Sequence, residues 1–233
     1  MSIKNRLDEL PWQRIAADLD EQGWATTGPF LNASERQLIT SSYDDDHSFR
    51  STVAMARHGY GRGEYRYFRY PLPDLVQSLR TSLYDRLLPT ANAWRRAADA
   101  GPFPENHAEF LEGCHAAGQS RPTPLILRYG PGDYNCLHQD LYGEWVFPLQ
   151  AAFLLSNPKD FSGGEFVLTE QRPRMQSRVQ VVPLEAGEGV IFAVNQRPVQ
   201  GTRGIYRVAM RHGVSRVRSG SRHALGLILH DAS

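Results

Sequence analysis

From Pro122 onward the chain is a succession of short apolar runs cut by Gly and Pro, and no other feature restricts its fold as much. The runs "PLILRYG", "YNCLHQD", "VFPLQAAFLL", "GEFVL", "RVQVVPL", "GVIFA", "YRVAMRHGVSRV" and "RHALGLILHD" are rich in β-branched and aromatic residues and bounded by turn formers. About eight strands at nearly regular spacing predict a sandwich or barrel, here a jelly roll.

Residues 1–120 carry helical periodicity instead. In "PWQRIAADLDEQGW", Trp12, Ile15, Ala16 and Leu19 form the stripe of an amphipathic helix. "NASERQLITSSY" follows, where Ser34 and Gln37 have capping-box spacing. A longer helix is predicted from about Pro73 to Arg96, with Leu75, Val76, Leu79, Leu83 and Leu87 on one face, and a short one over Glu105 to Ala117. No repeat or low-complexity linker divides the chain, so one domain over 1–233 is expected, a mainly helical portion (1–120) packed on a β core (121–233).

A formal net charge of +1 gives no overall pull toward nucleic acid or membrane, so any such binding must come from a local patch. One basic, aromatic segment stands out: "FRSTVAMARHGYGRGEYRYFRYP", residues 49–71, has five arginines against Glu64. Its tyrosines and arginines could clamp a nucleotide. The period-2 tail "EYRYFRY" fits equally a hairpin with one charged and one buried aromatic face, and the two readings coexist if the hairpin borders the active site. No run approaches 18 apolar residues, which argues against a membrane span. With two cysteines, no C-x-x-C and no signal-like N-terminus, a cytoplasmic protein is expected.

Within "LHQDLYGEW", His138 and Asp140 are two residues apart, so on a strand both side chains point to the same face. The plain reading is a polar strand end. The chemical reading is two ligands of a 2-His-1-carboxylate site, which leaves open coordination positions and suits non-haem Fe(II). It needs a second histidine, and His212 is the best candidate, ending the strand-like "YRVAMRH" with Arg222 ten residues later. The remaining histidines, 47, 58, 107, 115, 223 and 230, read as surface or packing residues.

In order, "RYGPGDYNCLHQD", "FSGGEF", "LEAGEGVIF" and "RHGVSRVRSGSR" resemble segments of the Fe(II)- and 2-oxoglutarate-dependent oxygenases, particularly the prolyl-hydroxylase-like branch, across residues 122–231. The first segment is also similar to the corresponding piece of the AlkB-type nucleic-acid demethylases and of a bacterial oxygenase group suggested to act on damaged nucleic acid. The resemblance implies a cupin-like double-stranded β-helix, His138, Asp140 and His212 as iron ligands, and Arg222 as partner of the distal carboxylate of 2-oxoglutarate. A planar guanidinium suits a carboxylate because it offers two parallel charge-assisted hydrogen bonds. Tyr129 matches a tyrosine that AlkB-type enzymes place on the cosubstrate, whereas their asparagine two residues earlier is Leu127 here.

The implied activity couples decarboxylation of 2-oxoglutarate to succinate with hydroxylation, or demethylation through a hydroxymethyl intermediate, using O2 and with ascorbate as an accessory reductant. Two substrate classes follow: a modified nucleobase in nucleic acid, or an amino acid, peptide or small metabolite. A cupin-like binding protein without turnover is the alternative from another class. Gly163, Gly164, Gly187 and Gly189 read as turn residues with no catalytic part.

Overall fold

The structure, a computed structural model, describes residues 2–233. Five α-helices are found among them: α1 (Ile3–Asp8), α2 (Trp12–Gln22), α3 (Ala33–Ser41), α4 (Asp74–Arg96) and α5 (His107–Ala116). Four of these follow the predicted spans closely. The capping box of α3, however, is made by Asn32 and Glu35, each bonding the other's backbone N–H, and not by Ser34 and Gln37. Asn32 has extended backbone and its carboxamide accepts from Glu35, so the helix starts one residue before Ser34.

Two antiparallel sheets form the body. The major sheet runs, in spatial order, β1 (Trp24–Pro29), β11 (Glu188–Ala193), β7 (Leu149–Leu154), β15 (Arg222–Leu227), β5 (Leu125–Tyr129), β4 (Glu64–Phe68) and β2 (Phe49–Ala54). The minor sheet runs β10 (Arg178–Val182), β9 (Phe166–Gln171), β13 (Gly204–Val214), β6 (Tyr134–His138) and β3 (Gly61–Arg62), with β12 (Gln196–Gly201) added to β13. A short pair, β8 (Phe161–Gly163) and β14 (Val217–Gly220), completes the set. The helical portion therefore contributes four strands, three of them to the major sheet. β1 hides its period behind small residues in "WATTGP", and β2 depends on pairing with β4.

Alternation assigns the two faces of the major sheet. Ile126, Ala151, Phe153, Ile191, Leu225 and Leu227 join one apolar cluster with Leu19 of α2 and Val76, Leu79, Leu83 and Leu87 of α4. At roughly 25 cal/mol per Å2 of apolar surface, burial of this layer is the main force seating the helices on the sheet. The residues of opposite parity face the minor sheet and line the space between the two. A buried ion pair, Arg80 Nη2 to Asp231 Oδ1 at 2.8 Å, ties the second turn of α4 to the segment after β15.

Candidate active site

His138 and His212 are brought together by strand pairing. They are direct partners across β6 and β13, with ring centroids 4.2 Å apart. Asp140 lies just past the end of β6, its Oδ1 3.6 Å from His138 Nε2 and its Oδ2 3.3 Å from His212 Nε2. The 3.3 and 3.6 Å carboxylate–imidazole separations approach the roughly 3 Å between adjacent donors at right angles around an ion with bonds of about 2.1 Å. His138 Nδ1 lies 2.8 Å from the Cys136 carbonyl; donation there fixes the tautomer that leaves Nε2 as the free lone pair.

Electrostatics prepare the same site for a cation. Burial works to raise the Asp140 carboxyl, but its hydrogen bond to His212 and the charge of both imidazoles outweigh it and hold the group far below the usual carboxylate range. Burial, reinforced by the neighbouring His138, pushes the His212 imidazole below its ordinary value. A carboxylate beside a neutral imidazole is the protonation state in which both present lone pairs to a metal.

Two residues outside the predicted set orient Asp140. The Tyr142 hydroxyl donates to Oδ1 at 2.6 Å and the Gln150 amide to Oδ2 at 2.8 Å, while Tyr67 donates to the Tyr142 oxygen at 3.1 Å. Gln150 had a signal in the sequence, a polar residue inside the apolar run "VFPLQAAFLL". Tyr142 had none beyond its position two residues after Asp140.

The cavity beside these groups measures about 350 Å3, within the usual range for a small-molecule site. Arg222 and Tyr129, cross-strand partners on β15 and β5, both line it. Arg222 is buried, with its guanidinium 5.6 Å from the Tyr129 ring centroid. Its Nε and Nη1, and the Tyr129 hydroxyl, are buried without a hydrogen-bond partner among the described residues. Burial lowers the Arg222 pKa and raises that of Tyr129, yet a guanidinium stays charged. A lone buried cation with unused donors is costly unless an anion meets it. Gly164 makes room for this side chain: at φ +67° its position would put a Cβ 2.8 Å from Arg222 Cδ.

The 49–71 segment is a hairpin, β2 and β4, and it borders the cavity. Tyr65 and Tyr67 line it, as does the exposed Tyr60 before β3. Arg66 pairs with Asp46, while Arg50 lies over the Tyr67 ring and donates to the Pro122 carbonyl, so part of the basic charge is engaged within the fold. Of the other histidines, His107 and His230 are buried packing residues and His115 pairs with Asp231. No described helix is long and apolar enough to cross a membrane.

The fold is shared with solved oxygenases. A prolyl-4-hydroxylase from Pseudomonas putida superposes with TM-score 0.53 at 17% identity, covering 92% of this chain and 96% of that one. An oxidoreductase of the 2OG-Fe(II) oxygenase family from Burkholderia pseudomallei gives 0.55 at 17%, with 97% and 94% covered. A Trichoplax adhaerens prolyl hydroxylase, solved with a hypoxia inducible factor peptide fragment, gives 0.58 at 15%, with 96% and 90% covered. At the sequence level, uncharacterized proteins from two strains of Mycobacterium tuberculosis are 49% identical over 168 residues, 71% of this chain and 72% of theirs. The model of the Oxygenase-NA family, described as "Oxygenase, catalysing oxidative methylation of damaged DNA", matches residues 63–232. That match, which takes in β4, His138, Asp140, His212 and most of the residues around the cavity, makes this chain a member of the Oxygenase-NA family.

Proposed function

We propose that His138, Asp140 and His212 hold Fe(II), that Arg222 and Tyr129 receive the distal carboxylate of 2-oxoglutarate, and that the enzyme oxidises a C–H bond of a modified base in nucleic acid. The observation that carries the cosubstrate reading is the pair of unpartnered Arg222 nitrogens and the unpartnered Tyr129 hydroxyl in the cavity beside the His-Asp-His cluster. The donor set fits a ferrous ion, two imidazoles and a carboxylate with room for exchangeable ligands.

Bound iron and 2-oxoglutarate together supply the oxidising chemistry, with succinate and carbon dioxide as coproducts. This chain's residues supply the rest. Arg222 orients the keto acid through its far end by charge-assisted hydrogen bonds. Gln150 and Tyr142 hold Asp140 at its angle and keep it ionised. Leu125, Leu127, Phe166 and Phe192 exclude water from the cavity. Ascorbate would serve as the accessory reductant. The domain is read as one unit over 1–233.

The substrate reading draws on the family description, which concerns damaged DNA, and on the tyrosine-lined cavity. A peptide or amino-acid substrate is the second reading, favoured by the prolyl hydroxylases among the structural neighbours. Anaerobic loading with Fe(II), then O2 and 2-oxoglutarate, should yield succinate; mass spectrometry of digested N-methylated oligonucleotides should reveal loss of methyl groups. Succinate formation unaffected by oligonucleotides but stimulated by peptides would transfer the proposal to the second class. No succinate and no metal uptake would leave a non-catalytic binding protein.

A further inference from the structure

The arginine-rich segment recognisable at residues 49–71 is partly neutralised by the fold, but a second basic surface becomes visible only in the sheet. Residues 166–220 hold nine arginines and no lysine against three glutamates, in a chain whose totals are 26 basic and 25 acidic residues. Four of the nine are paired: Arg172, Arg178 and Arg197 surround the buried Glu170, and Arg218 reaches Glu165. Arg203, Arg207 and Arg211 are exposed and take part in no ion pair or side-chain hydrogen bond among the described residues.

Their placement follows from β13. His212, Met210 and Val208 point inward and are buried, so Arg211 and Arg207 stand on the outer face of the same strand. Arg203 sits at the tip of the β12–β13 hairpin. Across the sheet, Arg211 is level with Thr169 of β9 and Val179 of β10. At about 3.3 Å per residue, Arg207 and Arg211 lie some 13 Å apart, the axial length of about four nucleotides of one duplex strand. Further along β13, Gly213 and Val214 line the cavity, next to the exposed Leu137 that also lines it.

We infer that the outer face of β13 and its hairpin, marked by Arg203, Arg207 and Arg211, is a docking track for the phosphodiester backbone of the nucleic acid whose base enters the cavity. The inference rests on the nucleic-acid reading of the site and adds where the polymer is held. Charge complementarity selects the occupant: a row of exposed guanidinium groups that have no ion-pair partner among the described residues matches a regular polyanion. The exposed Val179 and Val181 of β10 border the track, and a protein partner would depend on them more than on the arginines.

The test is fluorescence anisotropy of a labelled, unmodified single-stranded DNA of about 20 nucleotides with the Fe(II)-loaded full chain under nitrogen, between about 50 and 200 mM salt. The double variant Arg203→Gln/Arg207→Gln, distant from the cavity, should lower the slope of log K against log salt by about 1.4, or about 0.7 per arginine. Its succinate formation without DNA should match that of the parent. An equal slope in parent and variant overturns the inference. So does loss of DNA binding in Val179→Thr/Val181→Thr with the arginine variant unaffected, or binding to poly-glutamate with none to DNA. Oxidation of a free methylated nucleoside does not involve the track, so the substrate reading is judged there and the track by the slope.

Discussion

Arg222 and Tyr129 face each other across β15 and β5, and the buried guanidinium, 5.6 Å from the ring centroid, leaves Nε and Nη1 without partners beside a hydroxyl that also has none. Charge-assisted hydrogen bonds are worth about 1.5–3 kcal/mol, so Arg222→Ala should raise KM for 2-oxoglutarate by roughly 10- to 150-fold. Arg222→Lys should rescue little, because an ammonium cannot bond a carboxylate through two parallel N–H groups. Tyr129→Phe should cost less than either. Titration of 2-oxoglutarate in the succinate assay measures all three.

Gly164 supports that arrangement from the backbone. Gly164→Ala adds a Cβ 2.8 Å from Arg222 Cδ at φ +67°, a left-handed conformation that costs an L-residue about 1–2 kcal/mol. The variant should lose thermal stability and also show a raised KM for 2-oxoglutarate. Loss of stability with an unchanged KM would show that Arg222 does not depend on Gly164.

Asp140 depends on two neighbours that are not ligands. Gln150→Leu and Tyr142→Phe each remove one hydrogen bond to its carboxylate and should weaken metal affinity by about 10- to 100-fold, the usual effect of removing a group that orients a ligand. Co(II) titration followed by visible absorption reads this without turnover. Removal of the metal by a chelator should abolish succinate formation and be reversed by Fe(II).

Two buried histidines make the fold acid-sensitive. Burial pushes His107 from 6.5 down to about 3, and His230 from 6.5 down to about 4. Both folded values lie below the unfolded one, so their contribution is complete above pH 6.5 and is lost as pH falls toward 4. Each should remove on the order of 1 kcal/mol per pH unit in that window. Urea midpoints at several pH values, repeated for His107→Gln, should show a shallower decline in the variant.

Asp231 and Arg80 are both fully buried. Asp231→Ala strands the guanidinium in the protein interior and should cost about 3–5 kcal/mol, enough to threaten folding. The paired change Arg80→Met/Asp231→Leu should recover much of that loss in a urea melt.

Strand alternation, helical stripes and the i, i+2 spacing of His138 and Asp140 are local properties, and for that reason they are legible in the chain. Period 2 in "YNCLHQD" and "YRVAMRHGV" already states which residues share a face, so the fold class and the ligand candidates need no coordinates. The Asn32–Glu35 pair meets the capping-box pattern as well as Ser34–Gln37 does, and only the extended backbone at Asn32 chooses between them, whereas strand β1 escapes because its local signal is weak and it depends on pairing with β11. Which strands pair is a long-range matter: the register that sets His212 opposite His138, Arg222 opposite Tyr129, and Arg207 and Arg211 on the outside arises from burial of one face of each sheet. Partnership is decided there too, since a guanidinium on a sequence line carries no sign of whether the folded chain will supply its carboxylate, as Glu170 does for Arg197, or leave it for a ligand.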